Sequence, residues 1–376
     1  MGEVVKNNLF GGVYAGKKVL VTGNTGFKGA WLTAWLLQMN AKVYGLSKDI
    51  PTTPSMFEVM KLRERITHFE EDVRNAEAVN KIIADIQPDF VFHLAAQPIV
   101  SYSYENPVET ITTNVIGTTN ILEALRKLNH PCTAIIITSD KCYDNVEWVW
   151  GYKETDALGG KDIYSGSKGA AELVCKSYYH SFFSKEKSVV RIATARAGNV
   201  IGGGDWALDR IVPDCMRAWS EEKIVEIRSP KATRPWQHVL EPLSGYLQLG
   251  QALYNNRNLN GENFNFGPRA EHSHTVQQLL EDLSKCWHFT KAENAYKITD
   301  NITFHEAGLL KLNCDKALFH LRWQSILDYA TLIDFTGDWY YQFYTGKQDM
   351  FAYTTKQIEM YEEKAKQLNL QWTGNE

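Results

Sequence analysis

The stretch Ile135–Tyr143, IIITSDKCY, ends a run of isoleucines by setting a hydroxyl, a carboxylate and an ammonium side by side at Ser139, Asp140 and Lys141. Further along, Tyr164-Ser165-Gly166-Ser167-Lys168 places a phenol and an ammonium four residues apart, neighbours on one helical face. Alone, either stretch also fits a surface turn or a solvated helix face. A third stretch changes that reading. Gly23-Asn24-Thr25-Gly26-Phe27-Lys28-Gly29 lies between a short apolar strand, KKVLVTG, and a helix, AWLTAWLLQMN. Glycines there permit a tight turn and let backbone approach a pyrophosphate at the helix N-terminus.

A dinucleotide beside these groups gives them a joint chemistry. Free tyrosine titrates near ~10 and is a poor base at neutral pH, but a nearby ammonium and an oxidised nicotinamide both favour its phenolate and lower that value. Tyr164 with Lys168 can then take a hydroxyl proton while hydride leaves the same carbon, with Ser139 completing the set. Asp140 and Lys141 exceed that need. An acid beside a base at an oxidising site suits an elimination. Once C4 of a hexose is a ketone, its C5 proton is acidic. A base can remove it while an acid protonates the departing C6 hydroxyl.

The elements that must position these residues alternate. Strands are expected at 17–23, 41–47, 66–72, 88–96, 134–138 and 189–200, with helices between them, including 107–129 and a helix from about 164 to 184. This alternation predicts an α/β fold: a Rossmann-type doubly wound parallel sheet covered on both faces. After Asn199 the character shifts. IGGGDWALDRIVPD reads as loop, IVEIRS as a short strand, 238–256 as helix and ENFNFGP as one more strand. The expected division is a nucleotide-binding domain at 12–198 plus 238–268, and a smaller C-terminal α/β substrate-binding lobe at 199–237 plus 269–376.

Bulk composition excludes several classes. With 44% hydrophobic and 22% charged residues and a net charge of −4, there is no basic stripe for nucleic acid or an anionic membrane. Six scattered cysteines form no C-x-x-C pair and no cluster with histidine, so no metal site is expected. MGEVVKNNLFGGVYAGKK has no apolar run like that of a signal peptide, which points to reduced thiols and a cytoplasmic location. The second strand ends Gly45-Leu46-Ser47-Lys48-Asp49, with Ser47 where an acid would hold the NAD ribose, leaving NAD and NADP both open on these residues.

Together the motifs resemble the extended short-chain dehydrogenases/reductases, the NAD-dependent epimerase/dehydratase family, and within it the CDP-glucose group of 4,6-dehydratases. The likeness runs from about residue 16 to past residue 330. VTGNTGFKGAWL, FHLAAQPIV, TSDKCYDNVEWVWGY, YSGSKGAAELV, ARAGNVIGGGDWALDRIVPD and RPWQHVLEPLSGYL carry it. In related dTDP-glucose and GDP-mannose dehydratases the position of Lys141 is normally glutamate, and an Asp-Lys pair marks the CDP-glucose group.

The resemblance implies NAD as cofactor and conversion of CDP-D-glucose to CDP-4-dehydro-6-deoxy-D-glucose, for deoxysugar and lipopolysaccharide O-antigen synthesis. It implies Ser139, Tyr164 and Lys168 as the oxidising set and Asp140 as general acid. Lys141 is implied as the C5 base, or as a cation that stabilises the enolate. The first role needs a neutral amine, which a cationic cofactor nearby would favour. Gly23, Gly26, Phe27 and Gly29, with Tyr164 and Lys168, would contact the cofactor, and Asp72, Val73, Leu94, Ala95 and Ala96 its adenine side. Asn199, Arg210 and Pro213 would meet the sugar nucleotide, Arg234 would grip its pyrophosphate, and His238 would line the site or cap its helix. Trp148 and Trp150 would cover the glycosyl pocket or pack their own loop. Ser101 departs from the pattern, which commonly has arginine there. Helices 107–129 and 164–184 would pair in a homodimer, or in a dimer of dimers.

Overall fold

A computed structural model describes residues 6–227, 229–269, 274–289, 292–299, 309–346 and 348–374. The first half alternates β1 (Lys18–Thr22), α1 (Phe27–Gln38), β2 (Lys42–Ser47), α2 (Met56–Val59), β3 (Thr67–Glu70), α3 (Ala76–Ile86) and β4 (Phe90–His93). It continues through α4 (Val100–Glu105), α5 (Pro107–Ile111), α6 (Gly117–Arg126), β5 (Cys132–Ile137), α7 (Ile163–Tyr178) and β6 (Val190–Arg196). The second half holds β7 (Val200–Ile201), α8 (Ile211–Ser220), β8 (Val225–Ile227), β9 (Thr233–Arg234), β10 (Gln237–His238), α9 (Leu240–Asn255) and β11 (Asn263–Asn265). Then come β12 (His274–Thr275), α10 (Val276–Cys286), β13 (Tyr296–Ile298), α11 (Asp315–Leu321), α12 (Tyr329–Thr345) and α13 (Met350–Gln367).

The central sheet is parallel, in the order β11-β6-β5-β4-β1-β2-β3. Chain order reverses between β4 and β1, and there the carboxyl ends of the strands open a crevice. Both faces are covered. Val19, Val21, Ile135 and Ile137 pack into one core, while Leu20, Val91, Ala134 and Ile136 point to the other. The strands therefore read as continuous apolar runs rather than alternating ones.

Three expectations change. The helix expected at 107–129 is interrupted by a wide turn at Thr112–Ile116, where Thr112 Oγ1 bonds back to the Val108 carbonyl at 2.8 Å. Such insertions loosen the helical ladder without ending it. The segment read as loop contains the start of α8, with Pro213 in its first turn. Proline costs nothing there, because that turn's N–H groups have no intrahelical acceptor. The tail folds back as α13 along α1, where Trp35 Nε1 donates to Glu362 at 2.8 Å and Trp372 stacks on Phe10 at 4.8 Å.

Candidate active site

The crevice begins at the glycine turn. Gly23 has φ +72°, and a Cβ there would lie 2.7 Å from the backbone nitrogen of Ala95. At Gly29 a Cβ would lie 2.1 Å from the Gly23 carbonyl oxygen. Backbone thus packs on backbone at the switch point, and larger residues would force the turn open. Gly26 caps α1 with no side-chain hydrogen bond to its first N–H groups, which leaves those donors for a ligand at the positive end of the helix dipole. Leu94 and Ala95 close the opposite wall, their N–H groups donating to the carbonyl and hydroxyl of Thr22 at 3.1 and 3.2 Å, and Ala96 follows on the same turn.

Residues around the outer end of the crevice are already engaged. Ser47 donates to Asn24 Oδ1 at 2.9 Å and accepts from the Thr25 N–H at 3.3 Å. Lys48 pairs with Glu109 at 3.0 Å. Asp72 accepts from Arg74 Nη2 at 2.6 Å; burial opposes its charge, but the Arg74 contacts win and hold the carboxyl below its usual range. Val73 is buried, and its carbonyl accepts from Asn120.

At the end of β5, Ser139 caps the short turn Asp140–Cys142 by accepting the Lys141 N–H, and its hydroxyl donates to Asp140 at 3.0 Å. Ser139 and Asp140 are buried, whereas the adjacent Lys141 is exposed. Gly198 permits the close approach of Asp140, since a Cβ there would sit 1.7 Å from Oδ2. Asp162 caps α7 through the Ser165 N–H, so Tyr164 and Lys168 lie on its first two turns, both buried. Burial pushes the Tyr164 phenol up to about 12, with Ser139 the strongest opposing neighbour. Desolvation of the phenolate outweighs the polar groups around it, and the lowering expected from an oxidised nicotinamide would act against this burial. Burial draws the Lys168 ammonium down to about 8, against the pull of Cys142 and Glu172.

A narrow cleft lies against Asp140, lined also by Asn199, Pro235, Gln237, Pro268 and Arg269. Asn199 has φ +52°, and its carbonyl accepts the Gln237 N–H at 3.1 Å. Arg210 pairs with Asp205 at 2.7 Å and is an electrostatic neighbour of Tyr164. Pro213 is buried in α8. Arg234 lies on β9, where it pairs with β12, and its Nη1 donates to the Thr233 carbonyl at 3.0 Å. His238 does not line this cleft. It is fully buried between the Trp31 and Phe335 rings at 5.8 and 5.5 Å, and burial draws it down to about 3. Its Nδ1 faces the Leu240 N–H at 3.4 Å, so of the two roles expected for it the structure favours the helix start. Trp148 leans on Tyr152 at 5.2 Å, and Trp150 is 71% exposed.

Several residues at the site had no sequence signal strong enough to mark them. Lys28, half-buried, is an electrostatic neighbour of Arg210, Asp140 and Lys168, and burial draws it down to about 8. Asn114 bridges the Gln97 backbone to Ser167 of α7, at 2.8 Å to each. Tyr246 of α9 is fully buried near Asp140 and Tyr164, its hydroxyl without a hydrogen-bond partner among the described residues. Glu172 was detectable only as the next i+4 step after Lys168. Among the described residues no group of three or more His, Cys, Asp or Glu is disposed to hold a metal ion.

The family described as GDP-mannose 4,6 dehydratase matches residues 20–334. A CDP-glucose 4,6-dehydratase of Salmonella typhimurium is 44% identical over 352 residues, covering 93% of this chain and 97% of that protein. A CDP-paratose 2-epimerase of Salmonella typhi is 26% identical, covering 71% and 83%. Among solved structures, a dTDP-glucose 4,6-dehydratase from Bacillus anthracis in complex with NAD superposes with a TM-score of 0.70 at 20% identity, covering 87% and 97%. A UDP-glucose 4-epimerase from Thermotoga maritima gives 0.73 at 21%, covering 86% and 98%. At these identities the structures establish a shared fold.

Proposed function

The chain belongs to the GDP-mannose 4,6-dehydratase family, and from that premise we propose that it is an NAD-dependent nucleotide-sugar 4,6-dehydratase that converts CDP-D-glucose to CDP-4-dehydro-6-deoxy-D-glucose and water. The observation that carries the reading is the buried Asp140, held by Ser139 and set against the cleft beside Tyr164. A dehydrogenase or epimerase has no use for an acid there.

The glycine turn fits a dinucleotide, since Gly23 and Gly29 leave no room for a Cβ and the first N–H groups of α1 carry no side-chain cap. Gly23, Gly26, Phe27 and Gly29 would hold its pyrophosphate, and Asp72, Val73, Leu94, Ala95 and Ala96 its adenosine half. Engagement of Lys48 by Glu109 disfavours a 2′-phosphate and supports NAD over NADP. NAD held there would supply the hydride chemistry, taking up hydride from C4 and giving it to C6 as a proton returns to C5. Tyr164, with Ser139 and Lys168 beside it, takes the C4 hydroxyl proton. Lys168 and Tyr164 would also orient the nicotinamide ribose. Asp140 protonates the departing C6 hydroxyl. Lys141, exposed beside the buried Asp140, removes the C5 proton and later returns it, or as a cation stabilises the enolate. Asn199, Arg210 and Pro213 contact the sugar nucleotide, and Arg234 its phosphates.

A homodimer, or a dimer of dimers, is supported by apolar side chains left exposed on α5–α7, among them Val108, Ile111, Ile116 and Leu173. A cytoplasmic setting is supported by six cysteines without disulfides. The nucleotide-binding domain would comprise 12–198 and 238–268, and packing of α13 on α1 favours adding residues 350–374. The product would feed deoxysugar and surface-polysaccharide synthesis.

Mass spectrometry of the protein incubated with NAD⁺ and, separately, CDP-, dTDP-, UDP- and GDP-glucose tests this. Loss of one water from CDP-glucose alone is expected. Water loss from another member of the set keeps the chemistry and overturns the base preference. Unchanged mass with a new isomer resolved by NMR sustains the alternative, an epimerase of another nucleotide sugar.

A further inference from the structure

Beneath the catalytic residues lies a buried network that the reaction itself does not use. Glu172 sits on α7 one further i+4 step from Lys168. Its Oε1 accepts from Thr138 Oγ1 at 2.5 Å and Arg196 Nε at 2.8 Å; its Oε2 accepts from Thr194 Oγ1 at 2.8 Å and Arg196 Nη2 at 3.0 Å. The two side chains are 3% and 1% exposed, and the carboxylate's contacts are all met by this two-pronged pairing and the two hydroxyls. Arg196 also donates to Tyr143 Oη at 2.6 Å and lies over that ring at 4.8 Å. Tyr143 in turn donates to Asn265 of β11 at 2.8 Å.

Each end of this network adjoins a catalytic element. Thr138 precedes Ser139, Tyr143 follows the Asp140–Cys142 turn, and Glu172 shares a helical face with Tyr164 and Lys168. The network therefore joins α7, the ends of β5 and β6, and the loop after Lys141.

Resting on the proposed reaction, we infer that Glu172 and Arg196 are positioning residues that lock Lys168 and Tyr164 on α7 in register with Ser139 and Asp140 at the end of β5. A buried ion pair does not require this to fold, because apolar pairs of similar volume commonly replace such pairs without loss of stability. What such a replacement loses is the fixed geometry, and misplacement of reacting groups by about 1 Å costs on the order of 10²-fold in rate.

The test uses the full chain with Glu172→Met/Arg196→Met, which removes both charges, and with Arg196→Lys, which keeps the charge but not the two-pronged fork. Three quantities are read for each: kcat against KM on the nucleotide hexose that the unaltered protein turns over, the Kd for NADH by fluorescence, and the pH profile of kcat. The expected double variant has kcat lower by about 10²-fold with KM within about threefold. Its NADH affinity falls, and the alkaline limb of its profile moves to lower pH, because Lys168 has lost a neighbouring negative charge. Arg196→Lys gives a smaller loss in the same direction. Retention of kcat, NADH affinity and pH limbs by the folded double variant would overturn the inference. If the double variant fails to fold, unchanged kcat and NADH affinity in Arg196→Lys overturn it, and a fall in both with KM held sustains it. NADH binding separates the two claims. An unaltered protein that turns over none of the sugars but whose NADH affinity depends on the pair sinks the reaction and leaves the positioning role standing.

Discussion

Two buried glutamates show how differently this fold treats the same side chain. Glu172, beneath the catalytic centre, faces Arg196; burial opposes its charge, but the guanidinium and two threonine hydroxyls outweigh it and hold the carboxyl below its usual range. Glu241, at the start of α9, is buried just as deeply, at 1% exposure. It accepts from the Ile326 and Leu327 N–H groups at 2.9 and 2.7 Å and from Tyr361 Oη at 2.8 Å, with Arg269 contributing only weakly. Burial pushes it up to about 7. Neutral donors stabilise a carboxylate less than a guanidinium in contact does, so burial raises Glu241 towards neutrality while Glu172 is held low. The catalytic floor is electrostatically rigid across the working pH range. The seam that joins the C-terminal segments to α9 is not.

The largest effect on this contrast is expected from Arg196→Met alone. It strands Glu172 as an unpaired buried charge, and chemical denaturation at neutral pH should show a loss of about 3–5 kcal/mol. A loss well below that would mean that Glu172, once unpaired, takes up a proton as Glu241 does. Next comes Glu241→Gln. A group whose folded value is raised stabilises fully below its unfolded pKa, and that stability is lost as pH rises through the folded value. For Glu241 the window runs from the usual carboxylate range to about 7. Across it the unaltered protein should lose on the order of 1–3 kcal/mol that the glutamine variant keeps. Parallel Tm–pH curves for the two would remove the proton from Glu241. The smallest effect should be that of Tyr361→Phe, which deletes one donor to Glu241. About 1 kcal/mol is expected, growing with pH as the carboxylate loses a partner. Equal losses at acidic and alkaline pH would place the tyrosine's contribution in packing.

How legible this was from sequence varies residue by residue. Gly23, Gly26 and Gly29 announced a turn between strand and helix, and the structure sets that turn at the switch point of the sheet. Tyr164 and Lys168 announced a shared helical face, since i and i+4 are neighbours on any helix. Ser139-Asp140-Lys141 announced an acid and a base, but adjacency hid their different fates: the turn after β5 buries Asp140 and leaves Lys141 in solvent. The start of α8 was missed because glycines and Pro213 read as loop, although proline suits a first helical turn. The Glu172–Arg196 pair joins α7 to β6, and nothing in either segment names the other.

By itself, then, the chain's order of residues determined the strand–helix alternation, the glycine turn, the Tyr-Lys face and the strand-end triad, because each depends on neighbours within a turn or two of backbone. The tertiary structure alone decided which titratable groups are desolvated and what they meet. It raised Tyr164, lowered Lys168, buried His238 away from the cleft, and gave Glu172 a guanidinium where Glu241 has only neutral donors. Charge in a protein interior is governed by burial and by partners distant in the chain, and those exist only once the sheet and its covering helices have closed.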